Sequence, residues 1–442
     1  MRDFLPADVR RRQYVIGVIA DVYERYGFEP LETPAVENLD TLLGKYGEEG
    51  NKLIFKILKR GEHEASGEAD LALRYDLTVP LARVVAEHRA KLPRFFKRYQ
   101  VQPVWRADRP ARGRFREFYQ CDVDAIGSRS MTVEAEQIAA ASEVLARLGF
   151  ADFTVRLNHR RLLTALLDRS GLPEAQHGLA LTALDKLDKV KPDAVIADMA
   201  ARGIDAATAT ALLGTFVDAV GETNTDTLRQ LEGLALRADG VAALQELGAI
   251  LALTDSTVAA GHVRLDPSLA RGLSYYTGAI MEIGVPDLAG SLAGGGRYDD
   301  LIGMFLGEDV PACGISLGLE RILVVMAERG MFPPAVARPP ADVLVTVFDA
   351  GSLGDMLALA ARLRRGSEGR ALRVDVYPEP DRIGKQLKYA ASRGIPFAAL
   401  VGEAERSRGE VAVKDLTAGD QQVCSRDLAA RFIIDRLRAT RG

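Results

Sequence analysis

The stretch "RFFKRYQVQPVWRADRPARGRFREFYQCDVDA", Arg94 to Ala125, alternates with period two on both sides of a short loop. Successive side chains of a strand point to opposite faces. Arg98, Gln100, Gln102, Val104, Arg106 and Asp108 therefore share one face, and Arg116, Phe118, Gln120, Asp122 and Asp124 share one face of the second run. Two such runs joined by "RPARG" predict an antiparallel hairpin. A strand on an ordinary core is apolar on one side, whereas this hairpin is polar along both strands, which favours a ligand floor. From Arg89 to Arg116, Arg89, Lys91, Arg94, Lys97, Arg98, Arg106, Arg109, Arg112, Arg114 and Arg116 stand against a single acid, Asp108. A solvated basic face is the plain reading of such a run; the alternation along it turns the reading toward a binding site.

Outward from the hairpin, "DVRRRQYVIGVIADVYERYGF" has apolar residues at helical spacing, and "DLTVPLARVVAEH" predicts a helix starting near Thr78 or Pro80. After the strand "DFTVRLNHRRLL", in which Asn158 is expected to cap the next helix, residues from about 160 to 258 keep helical periodicity and read as an insertion. Glycine-rich strands return in "RGLSYYTGAIMEIGV" and "LAGGGRYDDLIGMF", where Gly294 to Gly296 suggest a backbone bend. "PACGISLGLERILVVMAERG" passes from strand to helix. A proline-rich stretch near 328–340 predicts a linker, and residues 341–442 alternate strands and helices as a small α/β domain does.

The chain has 442 residues, 48% hydrophobic and 27% charged, with a formal net charge of −4. That length predicts two or three domains. No apolar run approaches the roughly 20 residues of a membrane span, and the charged N-terminus lacks a secretory pattern, so a cytoplasmic protein without membrane partners is expected. Cys121, Cys313 and Cys424 are scattered and read as buried thiols. The five histidines show no metal-ligand spacing, and a protein-bound transition metal is not expected.

No P-loop spacing occurs, and "AGGGRYDDLIG" lacks the dinucleotide-binding pattern. If ATP binds, its phosphates need guanidinium groups, which stay charged and present a planar fork of donors. Arg106, Arg271 and Arg321 stand ready in three separate motifs. In those motifs, "WRADR" with "RGRFREFYQ", "RGLSYYTG" and "GISLGLERIL", the chain resembles the class II aminoacyl-tRNA synthetases and, closer still, the histidyl-tRNA synthetase family. "GFEPLETPAVE" is similar to the first, dimer-forming motif of that class, and "GGGRYDDLIGMF" resembles a stretch peculiar to the histidine enzymes.

The resemblance covers the whole chain and implies an α+β fold. A catalytic domain over 1–327, built on an antiparallel sheet flanked by helices and carrying the helical insertion, would precede the 328–340 linker and an anticodon-binding domain over 341–442. It implies ATP-dependent attachment of L-histidine to tRNA(His) through a histidyl-adenylate, with Mg2+ entering mainly on the ATP phosphates, and a homodimer. Residue by residue it implies that Arg106 holds the ATP α-phosphate and Arg321 the γ-phosphate, that Asp108 lies by the adenine, and that Arg114 belongs to the same ATP site. Arg271 would act catalytically with Arg106 on the reacting carboxylate and phosphate. Asp76, Thr78 and Gln120 would surround the substrate ammonium; Asp124, Tyr275 and Tyr276 would surround its imidazole. Ser274 stands where the family motif usually has aspartate, and Asp76 and Asp124 are one methylene shorter than the glutamates of many bacterial relatives. A non-catalytic histidine-sensing regulatory relative is the alternative; such proteins generally lack the C-terminal domain and often the full arginine set.

Overall fold

The computed structural model describes every residue except 62–65, 185–186, 188–189, 271–274 and 440–442, and leaves out the side chains of 47–49. The chain divides into a first unit, Met1–Phe332, and a second beginning at Pro333. In chain order the strands of the first unit are β1 (Glu29–Pro30), β2 (Val36–Asn38), β3 (Lys56–Leu58), β4 (Ala69–Leu73), β5 (Phe96–Trp105), β6 (Glu117–Ile126), β7 (Thr154–His159), β8 (Val263–Leu265), β9 (Ala279–Gly284), β10 (Ala293–Arg297) and β11 (Ala312–Gly318).

Eight of these form one sheet in the order β1-β5-β6-β11-β10-β9-β7-β8. The six central strands pair antiparallel, and the two outer pairs, β1–β5 and β7–β8, are parallel. The expected hairpin is β5–β6, and it lies inside the sheet. Helices Pro6–Arg25, Thr132–Arg147 and Leu319–Glu328 pack on this sheet and on one another. On the first of them Val15, Ile19, Val22 and Tyr23 are fully buried. Their spacing of four, three and one residues makes a single stripe toward the core. A smaller sheet, β2-β4-β3, stands beside helix Thr78–His88. Arg83 on that helix grips Glu37 on β2 with two bonds of 2.8 and 2.7 Å.

Between β7 and β8 the chain forms the helices Arg160–Arg169, Glu174–Leu184, Pro192–Ala201, Ala206–Asp218, Asn224–Glu232 and Ala238–Thr254. The capping expectation needs correction here. His159, not Asn158, caps the first of these helices: its Nδ1 accepts from the Arg161 N–H at 3.1 Å while Nε2 meets Glu246 at 2.9 Å. Asn158 points elsewhere and donates both amide hydrogens, to the Pro267 and Leu269 carbonyls, at 2.9 Å each. All three residues are buried. Asn158→Ala strands two buried carbonyls, and a loss of about 1–3 kcal/mol is expected in urea denaturation.

The second unit carries β12 (Val343–Val345), β13 (Val374–Val376), β14 (Phe397–Leu400), β15 (Glu410–Asp415) and β16 (Gln421–Ser425), ordered β13-β12-β14-β15-β16. The first three are parallel, and β15 and β16 add antiparallel. Its own core includes Val343, Val345, Met356, Leu359, Leu363, Val413 and Ile433. The proline-rich stretch contains a single 3-10 turn, Pro334–Ala337. Cys121 and Cys313 are buried as expected, whereas Cys424, on strand β16 at the end of the sheet, is only partly covered. Among the described residues no helix is long and apolar enough to cross a membrane.

Candidate active site

The register of the hairpin sets Arg98 opposite Asp124, Gln100 opposite Asp122, and Gln102 opposite Gln120. On this face Gln120, Asp122 and Asp124 line a cavity of about 610 Å³. Beside the hairpin the sheet becomes bare backbone for a steric reason. Gly314 on β11 pairs with Asp124, and a Cβ there would lie 1.9 Å from Asp124 Oδ1. A Cβ on Gly295 would meet the Gly314 carbonyl at 2.0 Å, and one on Gly296 would meet the Tyr276 ring at 2.9 Å. Gly294 to Gly296 are therefore no bend but run inside β10, and at Gly295 and Gly296 neighbouring groups take the space of side chains.

Three aspartates converge on the cavity. Asp76 sits before helix Thr78–His88, and its Oδ1 accepts from the Val79 N–H and the Tyr46 hydroxyl, each at 3.0 Å. Its Oδ2 is buried and has no hydrogen-bond partner among the described residues, as is true of Gln120 Oε1. Burial pushes the Asp76 carboxyl above its ordinary pKa, against the opposing pull of the Val79 N–H and Arg106. Asp124 accepts from the Tyr298 hydroxyl and lies 2.8 Å from the Arg98 guanidinium, which is 4.0 Å from Asp122. Burial raises Asp124 as well. Burial first, and the neighbouring Asp124 charge after it, push Asp122 up to about 7 against the pull of Arg98.

The cations lie on the other walls. Arg106 follows β5; its Nε donates to the Tyr75 carbonyl at 3.0 Å and its guanidinium stacks 4.2 Å from the Tyr75 ring centre and 5.2 Å from that of Phe118. Such stacking orients the plane of the fork without neutralising its charge. Arg114 grips Asp108 with bonds of 3.2 and 2.9 Å, and the Asp108 carbonyl accepts from Arg116 at 3.2 Å. The loop between the strands is thereby tied to itself. Arg321 on helix Leu319–Glu328 donates to the Ser291 carbonyl. Preceding it, buried Glu320 accepts from the Tyr119 N–H at 2.9 Å and from Arg12 at 3.3 Å, fastening this helix to β6. Behind the floor, Arg297 binds Glu134 through bonds of 2.6 and 2.9 Å and Asp299 at 3.2 Å.

Arg106, Asp108, Arg114, Arg321, Asp76, Thr78, Gln120, Asp124, Tyr275 and Tyr276 all line this one cavity, although they come from segments spread across more than two hundred residues. Arg271 and Ser274 lie outside the described residues. Sequence reasoning placed Asp122 on the polar face but gave it no role, and it overlooked Arg98 as the partner of Asp124. It missed Tyr46 and Tyr298 altogether. Tyr298 stands next to the glycine run, which could have flagged it; Tyr46 lies in a stretch without periodicity and carries no such signal.

The family model described as histidyl-tRNA synthetase matches residues 1–322, and one described as an anticodon binding domain matches residues 342–436. The chain is similar to the histidine–tRNA ligase of Gloeobacter violaceus, 42% identical over a 463-residue alignment that spans 99% of this chain and 98% of the relative. That of Porphyromonas gingivalis is 41% identical, over 97% of this chain and 96% of the relative. Among solved structures, the histidyl-tRNA synthetase of Nostoc sp. PCC 7120 matches with a TM-score of 0.78 and 30% identity, covering 98% of this chain and 97% of that one.

Proposed function

Since this chain belongs to the histidyl-tRNA synthetase family, we propose that the cavity described above is where L-histidine is activated by ATP and then transferred to tRNA(His). The fold is α+β and the activity is that of a histidine–tRNA ligase, working through a histidyl-adenylate. The residue roles that follow are our reading. The observation that carries them is the convergence of Arg106, Asp108, Arg114 and Arg321 with Asp76, Gln120 and Asp124 on one cavity.

In the first step an oxygen of the histidine carboxylate attacks the ATP α-phosphorus, and the bond to the pyrophosphate oxygen breaks. In the second a hydroxyl of the terminal adenosine of tRNA attacks the activated carbonyl, and AMP leaves. Neither step needs a nucleophilic side chain; such chemistry depends on alignment and on donors aimed at developing oxygen charge. Arg106 would neutralise the α-phosphate, with Arg271 on the reacting carboxylate. Arg321 would hold the far phosphates, and Asp108 and Arg114 would border the nucleotide. Mg2+ would arrive on the phosphates. The bare Asp76 Oδ2 and Gln120 Oε1 suit the ammonium of the substrate, and Thr78 lies beside them; Asp124, Tyr275 and Tyr276 suit its ring. The second unit would bind the anticodon of the tRNA. A homodimer and a cytoplasmic setting belong to the same reading, and sedimentation checks the first.

A regulatory relative without catalysis would bind histidine and do no more. Histidine-dependent exchange of pyrophosphate into ATP separates the two readings. Robust exchange with L-histidine, and its loss in Arg271→Ala without a matching loss of histidine affinity, is the expected result. A folded protein that binds histidine but supports no exchange would overturn the assignment.

A further inference from the structure

Asp122 is a buried acid of the cavity that the proposed roles leave unused; Glu320, the other, is already held by the Tyr119 N–H and Arg12. It is 2% exposed, it lines the cavity, and it shares the face of β6 with Gln120 and Asp124. Among the described residues its polar surroundings come from several elements. On its own strand Gln120 donates to it at 3.3 Å, and Asp124 is the next side chain on that face. From β5 comes Arg98, and from β11 comes Ser316, which favours its ionised form. Asp76 faces it from the segment before helix Thr78–His88. Tyr23, from the first helix, and Arg74 are also within its field.

The arithmetic of charge among these groups is uneven. Arg98 commits to Asp124 at 2.8 Å and stands at 4.0 Å from Asp122. A carboxylate taken out of water without a close counter-charge is costly; it keeps a proton or awaits a cation. Gln120 and Ser316 solvate it in part but bring no charge. Histidine, alone among the common amino acids, can bring a side chain that either carries that proton or accepts it near neutrality.

We propose that Asp122 is a further histidine-binding residue, joined to the substrate's imidazole by one proton that the two groups share. Whether this proton resides on the ring or on the carboxyl, the bound state holds it and the separated state above neutrality does not. This gives the site a criterion beyond shape: a ring of similar size that cannot take up a proton loses the interaction. The pKa of about 7 for Asp122 puts its own titration in the range where the imidazole titrates. The inference rests on the reading of Asp124, Asp76 and Tyr276 as histidine ligands.

The test is calorimetry of L-histidine binding to the full-length protein at pH 7.5 in buffers of different ionisation enthalpy, beside exchange kinetics from pH 6 to 8.5. The wild type is expected to take up about two-thirds of a proton at this pH, and its kcat/KM for histidine to fall about tenfold per pH unit above roughly 7. Asp122→Asn is expected to bind histidine about ten- to a hundredfold more weakly, to take up no proton, and to show a flat profile, with the KM for ATP unchanged. Triazolylalanine, whose ring is not protonated near neutrality, should be disfavoured by the wild type and far less so by Asp122→Asn. Wild-type binding without proton uptake, or an Asp122→Asn protein that keeps the uptake and the pH profile, would overturn the proposal. Asp124→Asn serves as the control. If it too leaves histidine affinity untouched, the site assignment itself falls; if it alone weakens binding, only the role of Asp122 does.

Discussion

Arg106→Ala is expected to slow histidine-dependent ATP–pyrophosphate exchange by about 10² to 10³, the usual effect of removing one pre-aimed donor to a developing oxygen charge. The structure says why the loss should appear in kcat more than in histidine affinity. The Arg106 guanidinium is held by the Tyr75 carbonyl at 3.0 Å and stacked between the Tyr75 and Phe118 rings, so its orientation is set before any ligand arrives. The acids proposed to grip the amino acid lie on other elements and do not depend on it for their placement: Asp76 is held by Tyr46 and Val79, and Asp124 by Tyr298 and Arg98. Arg106→Lys should recover only part of the rate, because an ammonium keeps the charge but loses the planar fork and the stacking. Single-turnover adenylate formation, measured beside equilibrium binding of histidine, checks both points. Equal losses in the two would contradict the assignment.

The second large effect is on stability. Glu134→Ala should destabilise the first unit by about 3–5 kcal/mol, since it leaves a buried guanidinium without its main partner. Arg297 is 4% exposed and Glu134 0%, and they join through two bonds. Burial alone would lower the Arg297 pKa, yet the Glu134 carboxylate holds it above its ordinary value, so the guanidinium stays charged. The Asp299 contact at 3.2 Å offsets only part of the loss. Replacing both partners, Glu134→Leu with Arg297→Met, removes the stranded charge and should recover most of the stability. Urea denaturation of the two variants decides the matter; a single variant as stable as the double would show that Arg297 finds water or another acid.

How legible these features were in the sequence depends on where their physical reason lies. The hairpin could be read because strand alternation is local: it runs unbroken through Phe96–Trp105 and Glu117–Ile126, and the polar face it implies is the one that pairs Arg98 with Asp124. The helices after His159 followed from their own periodicity. Asn158 was misread because a capping preference is also local, whereas its actual partners, the Pro267 and Leu269 carbonyls, lie over a hundred residues along the chain. The glycines of β10 were misread for a similar reason. Nothing in "AGGGR" reveals that the Tyr276 ring and the Gly314 carbonyl occupy the volume a side chain would need. Asp122 was visible as a polar position, but its lack of a close counter-charge among the described residues depends on Arg98 choosing Asp124, a matter of ångströms that periodicity does not carry.

The bare stretch of sheet in the cavity wall has a lesson for anyone who would redesign this enzyme's amino-acid preference. Gly295 and Gly314, which line the cavity, leave no room for even one methyl group, so this part of the wall is fixed by main chain and by Asp124 and offers no graded series of replacements. Larger or smaller substrates would have to be accommodated at other walls of the cavity, by reshaping side chains such as Tyr275 and Tyr276, while the glycines stay as they are.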